Sequence, residues 1–331
     1  MKALAALALA ALALPAAAQD AVTVRSLRDP VDKSYRRMLE GRALFDRLHA
    51  MAPRAELRYR LLPRRPDTDM RDVTVSVVGD SFERPVRVPA DRTFSLERDR
   101  RAWEEDASVR PNRKAGTLTW RADIRTPGLP PNVRRLGDLR LECRVGMKAE
   151  LVSHYPSLFD RFMDFLIGTE RYCDQKEPSY LFFAERPLFA VTLVHGERRE
   201  TLSVGALYAG LAHDRAPTTL LPHCDCAALL DRAYFVPLGD RSWPDDTRVE
   251  LEYMDAPASD ADYASLAGSR KAEILEMFGR AKRIRFADGH EVWTYEYGPG
   301  ERRLAQTEVV VLFDPAGVVA KARLRPGIPA D

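Results

Sequence analysis

Short segments in which apolar and polar residues alternate recur along this chain, and they constrain its fold more than any other feature. They are separated by Asp, Gly and Pro, and they span Glu56–Leu61, Val73–Val77, Val86–Val88, Thr93–Leu96, Thr117–Arg121 and Leu139–Cys143. Alternation with period two is typical of strands that have one buried face, and many short strands between turns indicate a sandwich of sheets. We therefore predict a β-sandwich-like domain over residues 54–148.

A different periodicity precedes these strands. Between Val31 and Met51, bulky residues recur at helical spacing, and Pro53 follows. Apolar residues three and four apart form one stripe along a helix. Residues 19–53 are therefore predicted to form an N-terminal helix segment.

The middle of the chain mixes both patterns. Leu188–Val194 and Arg248–Tyr253 are typical of strands, whereas Phe159–Ile167 and Ala227–Asp231 have helical spacing. We predict a second, mostly β domain with short helices over residues 149–256. The Pro- and Asp-rich stretch Asp255–Asp262 marks its end.

The last part of the chain reads as one helix followed by two hairpins. The helix is Lys271–Phe278, with Gly279 suited to a left-handed cap. The strands are Arg283–Phe286, Glu291–Tyr297, Thr307–Phe313 and Val318–Leu324, joined by turns at Asp288-Gly289 and Asp314–Gly317. Residues 257–326 should form a separate helix-and-sheet module.

This module resembles the SmpA/OmlA domain, the BamE-like family of outer-membrane assembly factors. The similarity rests on the helix ending Met277-Phe278-Gly279, the Asp-Gly turn before Val292–Tyr295, the strand Val309–Asp314 and Gly317–Val319. It implies two helices with a three- to four-stranded antiparallel sheet, in an envelope protein that binds partners and catalyses nothing. More weakly, Val86–Leu96 is similar to hairpins of bacterial Ig-like and carboxypeptidase-regulatory-like sandwiches. The expected fold class is multi-domain and mainly β, with an α+β module at the end.

The first 18 residues have the pattern of a secretory signal. Lys2 is followed by an Ala/Leu run to Leu14 and then by small residues, which predicts cleavage after Ala18. No cysteine follows at the cleavage site to carry a lipid. We expect a periplasmic or secreted protein with no stable membrane span, although peripheral contact with the outer membrane stays open.

The four cysteines fit an exported protein. They are Cys143, Cys173, Cys224 and Cys226, an even number that points to disulfides. Pairing Cys143 with Cys173 would leave Cys224 and Cys226 to close a strained small ring, so we favour cross pairing between the two sets. His223, Asp225 and the two neighbouring cysteines also leave a metal or redox site open.

Charge does not point to nucleic acid. Lys and Arg exceed Asp and Glu by only 2 in 331 residues, and Asp67, Asp69 and Asp72 directly follow the basic stretch Arg58–Arg65. Nucleic-acid binding needs a clustered basic surface with little opposing acid. We predict no nucleic-acid partner, and a solvated strand and turn at Arg58–Arg65.

Catalytic motifs are also missing from the sequence. It contains neither Gly-x-Ser-x-Gly nor His-Glu-x-x-His, and it has no dinucleotide fingerprint and no phosphate loop. We therefore expect no catalytic residues, no cofactor and no metal, and a non-enzymatic protein. The alternative is an exported enzyme or a metal or redox protein centred on His223–Cys226.

The C-terminal sheet offers a candidate interaction face. Trp293, Tyr295, Tyr297 and Phe313 should pack against the module's helices. The opposite side is expected to stay open as a docking surface, with Glu291, Thr294 and Glu296 as its candidate residues. The sequence thus predicts a scaffold or protein–protein interaction role for an unknown envelope partner, linked to outer-membrane assembly or integrity.

Overall fold

A computed structural model describes residues 32–114, 116–152, 173–174, 180–211, 228–257, 264–297 and 307–326. The α-helices in these ranges are α1 (Tyr35–Leu48), α2 (Arg100–Glu104), α3 (Leu136–Lys148) and α4 (Lys271–Phe278). The strands are β1 (Lys33–Ser34), β2 (Glu56–Pro63), β3 (Val75–Val78), β4 (Glu83–Val86), β5 (Thr93–Phe94), β6 (Ser108–Pro111), β7 (Leu118–Arg125), β8 (Val133–Arg135), β9 (Phe182–Phe183), β10 (Leu188–His195), β11 (Arg198–Thr201), β12 (Ala233–Tyr234), β13 (Arg248–Tyr253), β14 (Lys282–Arg285), β15 (Glu291–Tyr297), β16 (Thr307–Phe313) and β17 (Val319–Pro326).

The described strands form five sheets, and every pairing among them is antiparallel. Their orders are β1-β6-β3-β4, β5-β2-β7, β11-β10-β13-β8, β12-β9 and β14-β15-β16-β17. The predicted mainly β class with few helices is confirmed. Some predictions concern residues outside the described ranges. These are the signal segment with Ala18, the helix Phe159–Ile167, and the residues Cys224 and Cys226.

Helix α1 lies within the predicted helix segment 19–53, of which residues 32–53 are described. Ser34 caps it, since its hydroxyl accepts a hydrogen bond from the backbone N–H of Arg37. Tyr35, Met38 and Phe45 on its apolar stripe are buried against β2, β7 and their neighbours. This core sits between the two small N-terminal sheets and α3.

Helix α3 corrects one sequence prediction, because Leu139–Cys143 is helical and not a strand. Every residue from Leu136 to Met147 is buried, so this helix has apolar stripes on two sides. Leu139 and Cys143, four residues apart, pack into the large central core, while Leu141 and Val145 pack into the N-terminal core. Leu139 and Cys143 belong to one helical stripe, and Leu141 belongs to the other. Within this five-residue window, the two stripes together give the same alternation of apolar and polar residues as a strand.

Charged side chains fill the space between these two stripes. Glu142 accepts a hydrogen bond from Arg134 at 2.7 Å, and both side chains are buried. Asp138 accepts hydrogen bonds from the backbone N–H and the hydroxyl of Thr126, both at 2.8 Å. Arg140 donates to three backbone carbonyls in residues 238–243. Buried polar groups are tolerated when they are paired in this way.

The disulfide pairing differs from the one favoured on sequence grounds. Cys143 on α3 is bonded to Cys173, with 5.9 Å between their Cα atoms. Because each cysteine can form one disulfide, the cross pairing of either residue with Cys224 or Cys226 is wrong. The bond fixes residue 173 to α3, in which every residue from Leu136 to Met147 is buried.

The C-terminal module has the predicted order of one helix followed by two hairpins. The predicted turns have left-handed glycines, with φ of +93° at Gly289 and +78° at Gly317, and Gly279 after α4 has φ of +76°. The strands form a four-stranded meander in chain order. Its second turn is further closed by Asp314, which accepts a hydrogen bond from the backbone N–H of Val318 at 2.9 Å.

Both faces of this C-terminal sheet are buried. Trp293, Tyr295 and Phe313 pack with Ile274 of α4, as predicted from their alternation. The other face carries an apolar set that joins the large central core, namely Ile284, Val292, Val310 and Leu312. The sheet therefore belongs to two cores at once.

Charged side chains reinforce this junction. Glu308 on β16 accepts a hydrogen bond from the backbone N–H of Val204, and Arg325 on β17 donates to the carbonyl of Phe189. Both side chains are almost fully buried. Burial raises the pKa of Glu308, although the Val204 N–H and the Arg325 charge oppose the shift.

We expect stability to depend on the titration of Glu308. A carboxyl whose pKa is raised on folding contributes stability below its unfolded pKa of about 4.3, and that stability is lost as the pH rises through the folded pKa. Glu308→Gln keeps the acceptor for Val204 and cannot ionise. Its free energy of unfolding relative to the wild type should therefore increase as the pH rises from acid to neutral. Urea titrations at a series of pH values measure this, and a difference that stays constant with pH would contradict it.

Candidate partner-binding site

The three predicted interaction-face residues lie in different surroundings. Glu291 is 5% exposed and Thr294 is 4% exposed, whereas Glu296 is exposed to solvent. The prediction of an open face is wrong for the first two. Glu291 shares the strand parity of Trp293 and so lies on the helix side. The other side of the sheet is covered by the central core.

Glu291 has a structural role in the module. Its carboxylate accepts a hydrogen bond from the indole N–H of Trp293 at 3.0 Å and lies 3.1 Å from Lys271 Nζ and 2.6 Å from Arg285 Nε. Burial favours its neutral form, but these donors outweigh burial and lower the pKa of Glu291. Glu291 thus ties α4 and β14 to β15.

The ladder between β14 and β15 is shorter than the ladder between β15 and β16. β16 pairs with all seven residues of β15, from Glu291 to Tyr297. On the other side, β14 pairs only with residues 291–294, and its first pair is Lys282 with Thr294. Residues 279–281, which connect α4 to β14, precede this first pair.

A pocket of about 240 Å³ lies where the ladder between β14 and β15 ends. It is lined by Phe278, Arg280, Lys282, Thr294, Tyr295 and Glu296. The rings of Phe278 and Tyr295 lie 5.3 Å apart and form its apolar part. Lys282 Nζ lies 3.0 Å from Glu296 and holds the polar rim. Two of the predicted face residues, Thr294 and Glu296, are therefore brought together here.

The surface beside the pocket is both apolar and basic. On α4, which supplies Phe278, Leu275 is 40% exposed and Met277 is 54% exposed. After the helix, residues 280–285 contain four basic side chains. Charged residues often protect sheet edges from aggregation. Protection alone does not account for two exposed apolar side chains on the adjoining helix.

Sequence reasoning missed Phe278, Arg280 and Lys282 as site residues. The signal that could have found them is the basic run after Gly279 together with Met277, which the helical stripe through Ile274 leaves on the outer side. The alternative site at His223–Cys226 lies outside the described residues. Within the described ranges, no three His, Cys, Asp or Glu side chains come together as a metal-binding group. Among the helices of those ranges, none is long and apolar enough to cross a bilayer.

Comparisons of the chain with protein-family models, with curated proteins and with solved structures found no match.

Proposed function

We propose that this chain is a non-enzymatic, exported cell-envelope protein that binds an extended segment of an envelope partner through its C-terminal module. The pocket where the ladder between β14 and β15 ends, with the exposed apolar side chains of α4 beside it, carries this proposal. Pockets that hold individual side chains give specificity to a peptide that binds in an extended form.

The surroundings of the pocket define the partner segment. Arg280 and Lys282 favour acidic side chains, while Phe278 and the exposed Met277 favour an apolar one. A segment of mixed acidic and apolar residues therefore complements the site. Buried apolar anchors with a charged rim are the usual arrangement of a binding surface.

The resemblance to the BamE-like family supports this function. In both, a helix precedes an antiparallel meander, and the family's members bind envelope partners. The described residues contain one α-helix and four strands in this module, where the family implies two helices and three to four strands. The same proposal includes a periplasmic location, cleavage after Ala18 and a role in outer-membrane assembly or integrity. It also includes the division into domains at residues 54, 149 and 257.

Charge reversal at the pocket tests the proposal. Arg280→Glu/Lys282→Glu should reduce capture of the partner from cross-linked envelope fractions by about tenfold or more, since like charges across an interface cost several kcal/mol. Both side chains lie on the surface, so the melting temperature should change little. The capture is measured by quantitative mass spectrometry on the full chain.

Arg100→Glu is the matched control, because this arginine lies on α2 with a side chain that is 91% exposed. It should leave capture of the same protein unchanged. Equal capture by the wild type and the double variant, or equal loss in the control, would refute the site.

A further inference from the structure

A groove of about 700 Å³ lies away from the pocket, where the sheet β11-β10-β13-β8 meets β17, and its volume is within the range of small-molecule sites. Its floor is the outer face of that sheet. Thr201, Thr192 and Glu250 form one row across β11, β10 and β13, because Thr192 pairs with both of the others. The neighbouring residues Val191 and Leu193 face the opposite side and are buried in the central core. The floor is therefore a row of hydrogen-bonding side chains held in place by a packed sheet.

The ionised side chains of the groove are balanced in sign and paired. Its described lining contains three glutamates and three arginines, namely Glu185, Glu250, Glu252, Arg186, Arg199 and Arg323. Arg199 lies 2.7 Å from Glu250, and Arg323 contacts Glu252. Arg186 lies 2.9 Å from Asp255, and Glu185 lies 3.2 Å from Arg125. The described lining thus has no net formal charge that would favour an anion or a cation.

The paired groups keep hydrogen-bonding capacity toward the groove. A carboxylate has about four acceptor sites and a guanidinium has five N–H donors, so a single ion pair uses only part of either. The hydroxyl oxygens of Thr192 and Thr201 lie 3.0 Å apart, and a hydrogen bond between them uses only one of their two protons. Donors and acceptors therefore lie side by side along the groove.

We propose that this groove binds an uncharged carbohydrate. A sugar hydroxyl both donates and accepts hydrogen bonds, so it can donate to a glutamate and accept from the paired arginine without separating the two. An apolar ligand would remove water from these charged groups without replacing its hydrogen bonds, which is costly. Leu324, which lines the groove and is 40% exposed, supplies an apolar surface for the C–H groups of a sugar ring.

The groove and the partner-binding pocket share no described lining residue. Carbohydrate binding is therefore independent of the partner segment, and either can fail without the other.

Titration calorimetry on the full chain tests the inference with trisaccharides of similar size. Cellotriose and maltotriose are neutral, whereas trigalacturonate is an anion and the trimer of glucosamine is a cation at mildly acidic pH. At least one neutral trisaccharide should bind, about tenfold or more tightly than either charged one. Its affinity should be the same at low and high salt, since salt screens interactions between charges.

Two variants place the binding in the groove. Glu250→Gln should weaken binding of the neutral trisaccharide about tenfold, which corresponds to about 1.4 kcal/mol for one hydrogen bond to a charged group. Thr201→Val removes a hydroxyl but keeps the branched shape, and it should weaken binding severalfold while leaving capture of the envelope partner unchanged. Glu83→Gln, on the exposed strand β4, is the control and should bind like the wild type.

Binding of neither neutral trisaccharide, or tighter binding of a charged one, would overturn the proposal. So would equal affinity of the wild type and both groove variants, or equal weakening by Glu83→Gln.

Discussion

Glu142→Leu should lower the free energy of unfolding by about 3 to 5 kcal/mol, because it leaves the buried Arg134 without its ionic partner. The two side chains meet at 2.7 Å, and both are less than a tenth exposed. Burial raises the pKa of Glu142 even though the Arg134 charge opposes that shift, so the pair already sits where charge is costly. Equilibrium unfolding in urea measures the loss.

The double variant Arg134→Met/Glu142→Leu separates loss of the pair from loss of packing. Apolar replacements of a buried ion pair are often neutral or stabilising, so this variant should recover most of the stability. Glu104→Leu, which breaks the exposed pair of Arg100 and Glu104, is the surface control and should have little effect. If Glu142→Leu lowers the free energy of unfolding no more than that control does, then Arg134 does not need Glu142 as its ionic partner in the folded protein.

Removal of the disulfide should lower the free energy of unfolding nearly as much as Glu142→Leu does. Cys143 and Cys173 are 30 residues apart, and on the chain-entropy model a loop of that length is worth about 3 to 4 kcal/mol. Cys143→Ala/Cys173→Ala should therefore lower the free energy of unfolding by about that amount, and reduction of the wild type with dithiothreitol should have a similar effect.

Peptide mapping under non-reducing conditions is the control for this prediction. A linked peptide pair containing Cys143 and Cys173 is expected in the wild type, and it should persist in Cys224→Ala/Cys226→Ala. A peptide that joins Cys143 to either of the later cysteines would contradict the pairing.

Local sequence signals were enough to predict the order of the helix, strands and turns in the C-terminal module. Gly279, Gly289 and Gly317 have positive φ. Gly279 directly follows α4, and the other two lie in turns between strands that their own periodicity defines. The same kind of signal failed for α3. There, Leu139 and Leu141 face two different cores, and a five-residue window cannot distinguish two helical stripes from a strand.

The candidate site was less predictable, because it depends on contacts between distant parts of the chain. Alternation placed Trp293 and Tyr295 toward the helix, but only the packing of Val292 and Val310 on the central core shows that the opposite face is closed. The place of the pocket follows from where β14 ends its pairing with β15. That register is a property of the folded sheet.

Site-specific photo-cross-linking in cells tests the partner-binding site most directly. A photoreactive phenylalanine analogue at Met277, beside the pocket, should give an adduct with one envelope protein, and Arg280→Glu/Lys282→Glu should abolish that adduct. The same analogue at the exposed Trp103 on α2 should not capture that protein. No adduct from position 277, or an adduct with the same protein from position 103, would contradict the proposed site.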